Sequence, residues 1–403
     1  MKPKLNFDIL ESLRGMAALY VCIGHCRGVL WIGGDVFAQL HPKETWTWID
    51  YLQMGLNMLT RLSPEFVIVF FVLSGFSISH SLKNNSRTGE FYLKRFLRLY
   101  PPYFMALLWA ILVISVIQSV WPSYTDGTYQ TPAFDRLQVS NGLLTWSQTI
   151  KNLFYIPQLG GIINPFWSLT QEVIFYLLAP YLLKNRKLYY LFTVTGFGFY
   201  LLNGYVGHGE NNILMNFLFY NVFFAIGNAL YYHYEWILSK FKWLAQKKAL
   251  ALSAFLFFIM IGVSLKNLTI TNSFLAAALS VILIIHLLAA NLRINWLVGV
   301  GRFSYTLYIT HFPTIFVYMA LFFTITGTPG PFIYNNLVFI PCVFLCLLVA
   351  YLQYLLVEKR TKSYLEILRG GKQNLKLAVT RLPFRGKQRD ARDNNQGSSA
   401  SYR

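Results

Sequence analysis

Charge is what this chain has least of. Only 13% of its 403 residues are Asp, Glu, Lys or Arg, about half of what a soluble domain carries. That shortage excludes an ordinary water-soluble globule. Cysteine is scarce as well, with four in all: Cys22, Cys26, Cys342 and Cys346. They fall in two pairs at helical spacing, and neither pair has the Cys-x-x-Cys spacing of a metal motif or suits a disulfide framework. Small apolar packing is their expected role. Cys22, three residues before His25 and on its helix face, is also placed to tune that histidine or to be acylated. No small-residue cleavage pattern follows the first apolar run, which should therefore stay in place as a span. No repeat at fixed period and no inverted-repeat signature is visible, which weakens a transporter reading.

What the chain does have is apolar bulk. Hydrophobic residues make up 55% and aromatics 17%, with a mean hydropathy of +0.43. The composition is that of an all-α, polytopic membrane bundle. The net charge of +19 invites a nucleic-acid reading, but the basic residues sit in loops and in the tail, where they orient spans and meet anionic lipid. No nucleic-acid partner is expected; membrane lipid is.

A span needs about 20 mainly apolar residues. About ten stretches qualify, near 12–32, 64–82, 101–121, 166–184, 187–205, 213–235, 249–265, 272–291, 302–326 and 333–357. With the amino terminus inside, all but six of the 35 basic residues fall on the cytoplasmic side. The six are Arg27, Lys43, Arg61, Arg136, Lys151 and Lys266. The bias survives removal of the basic tail and predicts both termini in the cytoplasm. Residues 1–360 then form one membrane domain, and 361–403 a basic, largely disordered tail. Two outer segments are long. Residues 33–63, with Trp46, Trp48 and Tyr51 and next to Trp31, read as a lid at the interface. The aromatics and amides of 122–165 suit either sugar binding or an interfacial belt.

The ionisable groups inside spans are the functional candidates, because placing them there is costly. His25 follows Arg14 by eleven residues, about 16 Å along a helix. If Arg14 marks the inner interface, His25 lies in the outer half of the bilayer, where a neutral imidazole can take a proton from a hydroxyl. Glu172 sits roughly 9 Å into a span entering from outside, at a similar depth. A carboxylate there can orient an imidazole or share its proton, so His25 and Glu172 are the expected catalytic pair. On the inner face Arg95 and Arg98 share one helix side, and two guanidinium forks grip phosphates well. Pro101 and Pro102 should stop that short helix and start the next span. Ser304, Tyr305, Tyr308 and His311 form a polar stripe facing the bundle interior. His286 reads as structural. The Phe70–Phe76 run offers, at Ser74-Gly75, a small-residue notch for close helix packing.

Taken together, Leu13-Arg14-Gly15 through His25, the Phe-Phe-Val-Leu-Ser-Gly-Phe run at 70–76, Arg95-x-x-Arg98 before Tyr100-Pro101, Trp167-Ser168-Leu169 with Glu172 and Tyr176, and Ser304-Tyr305 with Tyr308 and His311 resemble the acyltransferase 3 family of membrane-bound acyltransferases, over roughly residues 5–360. The resemblance implies an enzyme that moves an acyl group, usually acetyl, from cytoplasmic acyl-CoA to an acceptor at or beyond the membrane. Acceptors in that family are often hydroxyls of cell-surface polysaccharide, O-antigen or peptidoglycan, so a surface polysaccharide or lipid-linked glycan is the expected partner. It implies His25 as the catalytic histidine and Arg14, Arg95 and Arg98 as donor-associated. Tyr305, Tyr308, His311 and Trp167 are expected to bind substrate. No tightly bound cofactor and no metal is expected; acyl-CoA, most simply acetyl-CoA, is a donor substrate. Some relatives carry an added soluble hydrolase-like domain, where this chain shows only its basic tail. The expected location is a bacterial inner membrane. The rival reading is a proton-coupled transporter or flippase of a glycan or lipid-linked intermediate that uses His25 and Glu172; a scaffold with a lipid-seeking tail is the third.

Overall fold

A computed structural model describes residues 7–31, 33–84, 87–129, 131–157, 160–206, 212–327 and 338–361. The tail from 362 onward, with its expected disorder, lies outside the described residues. The α-helices are α1 (Phe7–Leu30), α2 (Gly34–Leu40), α3 (Trp48–Leu59), α4 (Ser63–Asn84), α5 (Thr88–Val120), α6 (Pro132–Ser140), α7 (Trp146–Leu153), α8 (Trp167–Leu182), α9 (Arg186–Tyr205), α10 (Ile213–Lys240), α11 (Lys247–Leu265), α12 (Thr269–Ala289), α13 (Asn295–Arg302), α14 (Ser304–Thr326) and α15 (Phe339–Gln353). A π-helical turn, Tyr354–Glu358, extends the last of them.

Over its described residues each of the ten apolar stretches falls on a helix, α1, α4, α5, α8, α9, α10, α11, α12, α14 or α15, with 32 and 333–337 lying outside the described residues. By length and composition, seven of the described segments can cross a membrane. The three that fall short do so for visible reasons. Helix α1 carries Asp8, Glu11, Arg14 and Arg27. Helix α8 has 16 residues, fewer than the usual span. Helix α9 opens on Arg186 and Lys187 and holds several Gly, Thr, Tyr and Asn.

In lipid, helices gain little from burying apolar surface against each other; close packing and hydrogen bonds bring them together. The Ser74-Gly75 notch shows this. A methyl on Gly75 would stand 2.1 Å from the Phe224 carbonyl oxygen, and one on Gly227 would stand 2.0 Å from that of Val72. Backbones of α4 and α10 therefore touch, and only glycine fits there. The same device seats α13 on α1, where Gly15 faces the Leu297 carbonyl and Gly301 that of Glu11. Hydrogen bonds finish the contact: Asn228 Nδ2 donates to Ser79 Oγ at 2.6 Å, and Tyr190 donates to Asn228 at 2.7 Å. His286 is structural as expected, its Nδ1 at 2.9 Å from the Leu244 carbonyl.

Two expectations need correction. Pro101 and Pro102 do not divide the chain, because α5 runs unbroken from Thr88 to Val120 through both. Spans tolerate proline when neighbouring helices cover the freed carbonyls, and α8 and α14 both pack on α5. The segment 122–165 is also no simple surface loop. Phe134, Leu137, Leu143, Ile162 and Ile163 are fully buried, and the buried Tyr103 of α5 donates to the Asn152 carbonyl at 2.6 Å. In the other long segment, 33–63, the exposure lies on α3. Helix α3 buries no residue completely and leaves Trp48, Tyr51 and Leu52 more than half exposed.

Candidate active site

Two polar centres lie inside the bundle, and Tyr308 joins them. The first is a histidine pair. His25 of α1 and His311 of α14, 286 residues apart, meet with Nδ1 of His25 2.8 Å from Nε2 of His311. Their rings are almost coplanar in direction, at 3°, with centroids 5.1 Å apart. Nδ1 of His311 lies 3.0 Å from the Leu307 carbonyl oxygen. A carbonyl only accepts, so that nitrogen carries the hydrogen. In the neutral ring Nε2 of His311 is then an acceptor, and Nδ1 of His25 must donate to it. Nε2 of His25 is left holding a lone pair. His311 is sealed from solvent, while His25 keeps part of its surface accessible. The Phe312 ring stands edge-on to His25 at 5.1 Å.

The second centre is a pocket of about 60 Å³ lined by Arg14, Ser74, Arg98, Ser168, Glu172, Tyr176, Ser304, Tyr305 and Tyr308 among others. That is room for a few waters. Glu172 accepts from Ser74 Oγ at 2.8 Å and, through a short bond, from the Tyr176 hydroxyl. Arg14 holds Glu11 at 2.7 Å and donates to Ser77 Oγ at 2.9 Å. Among the described residues no carboxylate comes within ion-pair distance of Arg95 or Arg98. Arg95 lies over the rings of Phe91 and Tyr176, and its Nε is buried with no partner. A buried guanidinium nitrogen left without a hydrogen bond is costly, which fits a site open to an anion. From the first pocket, Tyr176 and Leu99 lead into an almost wholly apolar groove of about 260 Å³, bounded by Tyr92, Arg95, Phe96 and Tyr100 of α5, Val173 and Leu177 of α8, and Tyr155.

Tyr308 bridges the centres. Its hydroxyl meets Ser168 Oγ at 2.7 Å and donates to the Pro165 carbonyl at 3.0 Å. Its ring is 6.0 Å from that of His311. The polar side chains thus follow one another as a track of neighbours, Arg14, Arg98, Glu172, Tyr305 and Tyr308 around the pocket and then His311 and His25 beyond the Tyr308 ring.

The candidate residues separate in an instructive way. Arg14, Arg98, Glu172, Tyr305 and Tyr308 share one pocket, with Arg95 at its edge. The partner of His25 is His311, expected to bind substrate, rather than Glu172, whose partners are Ser74 and Tyr176. Glu172 of α8 and His25 of α1 thus turn to different neighbours. Trp167 packs against Tyr220 and Phe71, with centroids at 4.9 and 6.3 Å, and does not line the pocket. One residue escaped notice as more than a topology signal. Arg136 of helix α6 lies over the Phe312 ring, 5.6 Å from its centroid, and its charge reaches His25. Burial pulls it below the usual guanidinium range, and it stays charged at physiological pH.

A family model described as an acyltransferase domain matches residues 7–355. Among curated proteins the chain is similar to Nodulation protein 10 of Rhizobium leguminosarum bv. viciae, 26% identical over 186 residues, 44% of each chain. It is similar to Acyltransferase MdmB of Streptomyces mycarofaciens, 28% identical over 161 residues, 38% of this chain and 37% of that one. Protein 2 in the picA locus of Rhizobium radiobacter is 27% identical over 180 residues, 43% of this chain and 80% of that one. The chain thus spans less than half the length of the first two relatives it matches. No solved structure matches.

Proposed function

The chain belongs to the acyltransferase 3 family and is a membrane-bound acyltransferase, and from that premise we propose that it carries an acyl group, acetyl in the simplest case, from cytoplasmic acyl-CoA to a hydroxyl of a surface or exported glycan. Ten spans with both ends in the cytoplasm supply the geometry, in what we take to be a bacterial inner membrane. The donor's phosphates meet the inner-face arginines Arg95, Arg98 and Arg14, and its pantetheine arm follows the track past Tyr305 and Tyr308. Glu172, held by Ser74 and Tyr176, fixes the charge balance of that pocket. The acceptor comes from outside to His25.

The observation that carries the reading is the His25–His311 hydrogen bond at 2.8 Å, with His311 in turn at the Leu307 carbonyl. On this reading Nε2 of His25, with its free lone pair, is the base, and His311 orients it. The acceptor oxygen attacks the thioester carbonyl as Nε2 takes its proton. The carbon–sulfur bond then breaks, and the coenzyme A sulfur departs with that proton. Such proton transfer contributes about 10²–10⁴-fold.

The test uses purified chain in lipid vesicles, radiolabelled acetyl-CoA and a glycan acceptor. Ester formation by the wild type and its loss in folded His25→Ala support the reading. Full turnover in His25→Ala removes the base. Comparing ester-linked acyl groups on surface polysaccharide from cells with and without the protein identifies the acceptor.

A further inference from the structure

The cysteines, unremarkable as two separate pairs in the sequence, converge in the fold. Cys22 and Cys26 sit one turn apart on α1, Cys342 and Cys346 one turn apart on α15, and α15 packs on α1. The sulfurs of Cys22, Cys26 and Cys346 lie within 4.8 Å of one another, with Cys26 and Cys346 at 4.0 Å. Cys342 stands one turn before Cys346 on the same helix. All four side chains are fully buried and all four thiols are free. We propose that these cysteines form a thiolate site for a soft d10 cation of the zinc or copper(I) class, placed between α1 and α15.

The geometry favours this over simple packing. A metal–sulfur bond of about 2.3 Å puts the sulfurs of one ion about 3.8 Å apart in a tetrahedral site and about 4.0 Å apart in a trigonal one. The Cys26–Cys346 separation is already there, and Cys22 needs to close by less than an ångström. The same separation is about twice a disulfide bond, so no covalent link holds the group together. Packing alone would accept Ala, Ser or Gly at these positions. Here three of the four cysteines in 403 residues bring their sulfurs together, and the fourth lies one helical turn away. Soft sulfur ligands select such ions over magnesium or calcium. Each thiol that binds releases one proton to the surroundings as the metal–sulfur bond forms.

The site also touches the histidine pair. Cys22 and Cys26 flank His25 on α1, and Cys346 Sγ donates to the His311 backbone carbonyl at 3.5 Å. A bound ion would clamp α1 to α15 beside both rings and fix their register.

The full chain, purified with reductant and without metal in lipid nanodiscs, is titrated with Cd²⁺ as a probe, and separately with Zn²⁺ and Cu⁺. The expected results are a thiolate-to-cadmium charge-transfer band saturating at one ion per chain and one ion retained through gel filtration. A rise of several degrees in Tm should accompany them, and Cys26→Ser or Cys346→Ser should weaken affinity at least 100-fold. If the wild type shows no band and retains no ion, the proposal is overturned, whether or not the variants fold. Retention at the same affinity in the Cys22→Ser/Cys26→Ser/Cys346→Ser chain would overturn it as well. Neither failure bears on acyl transfer.

Discussion

The histidine pair and the arginine pocket solve opposite problems a few side chains apart. His25 and His311 satisfy each other and hand the remaining hydrogen to a backbone carbonyl. The arrangement is complete before any ligand arrives. The pocket is incomplete: Arg95 keeps a buried nitrogen without a partner, and neither Arg95 nor Arg98 has a carboxylate at ion-pair distance among the described residues. A base must be oriented in advance, whereas a site for a polyanion gains affinity by leaving cations uncompensated until the anion binds. The two centres should therefore respond differently to mutation, one in turnover and the other in donor affinity.

The largest effect belongs to the base. His25→Ala should lower turnover about 10²–10⁴-fold while leaving coenzyme A binding by calorimetry close to wild type; a parallel collapse of donor binding would merge the two centres into one. Next comes the orienting residue. His311→Leu should cost about 10²-fold in kcat, and His311→Gln distinctly less, because an amide oxygen can still accept from Nδ1 of His25. Equal losses in Leu and Gln would remove the tautomer argument. In the pocket, Arg95→Ala combined with Arg98→Ala should raise the KM for acyl-CoA by about 10–100-fold, as expected from losing charge-assisted hydrogen bonds of about 1.5–3 kcal/mol, with a smaller change in kcat. An unchanged KM would return both arginines to the status of topology signals. The smallest effect concerns Trp167. Its packing on Tyr220 and Phe71 predicts that Trp167→Phe changes KM by less than about threefold, with the loss read mainly in Tm; a large rise in KM would restore it to the substrate site.

The contrast between the centres also marks what the sequence reveals. Everything set along one helix was legible. The ten apolar stretches became helices, the stripe from Ser304 to His311 turned inward, and the notch at Gly75 became a backbone contact. What required knowing how two distant helices rotate against each other was not legible. Arg95 and Arg98 could be assigned to one function by charge and side of the membrane, with Arg14 added by the family resemblance, but nothing in α1 or α8 alone says that Glu172 turns to Ser74 while His25 turns to His311. The convergence of four cysteines on α1 and α15 is the same kind of fact. Pro101 and Pro102 misled for a different reason. Their local cost is real, but neighbouring spans absorb it, and the helix continues.

That continuity ties the enzyme to its bilayer. Helix α5 has 33 residues, about 50 Å at 1.5 Å per residue, against a hydrocarbon core about 30 Å thick. Because the helix continues through the prolines, the arginines and the lipid-facing part of α5 belong to one element. If Arg95 and Arg98 hold the donor as proposed, a thinner or thicker membrane should tip that site relative to the histidines, since a long helix relieves mismatch by tilting. Lipid chain length becomes a control on acyl transfer, and vesicles of graded thickness should give an optimum in turnover that a glycine pair in place of Pro101 and Pro102 broadens.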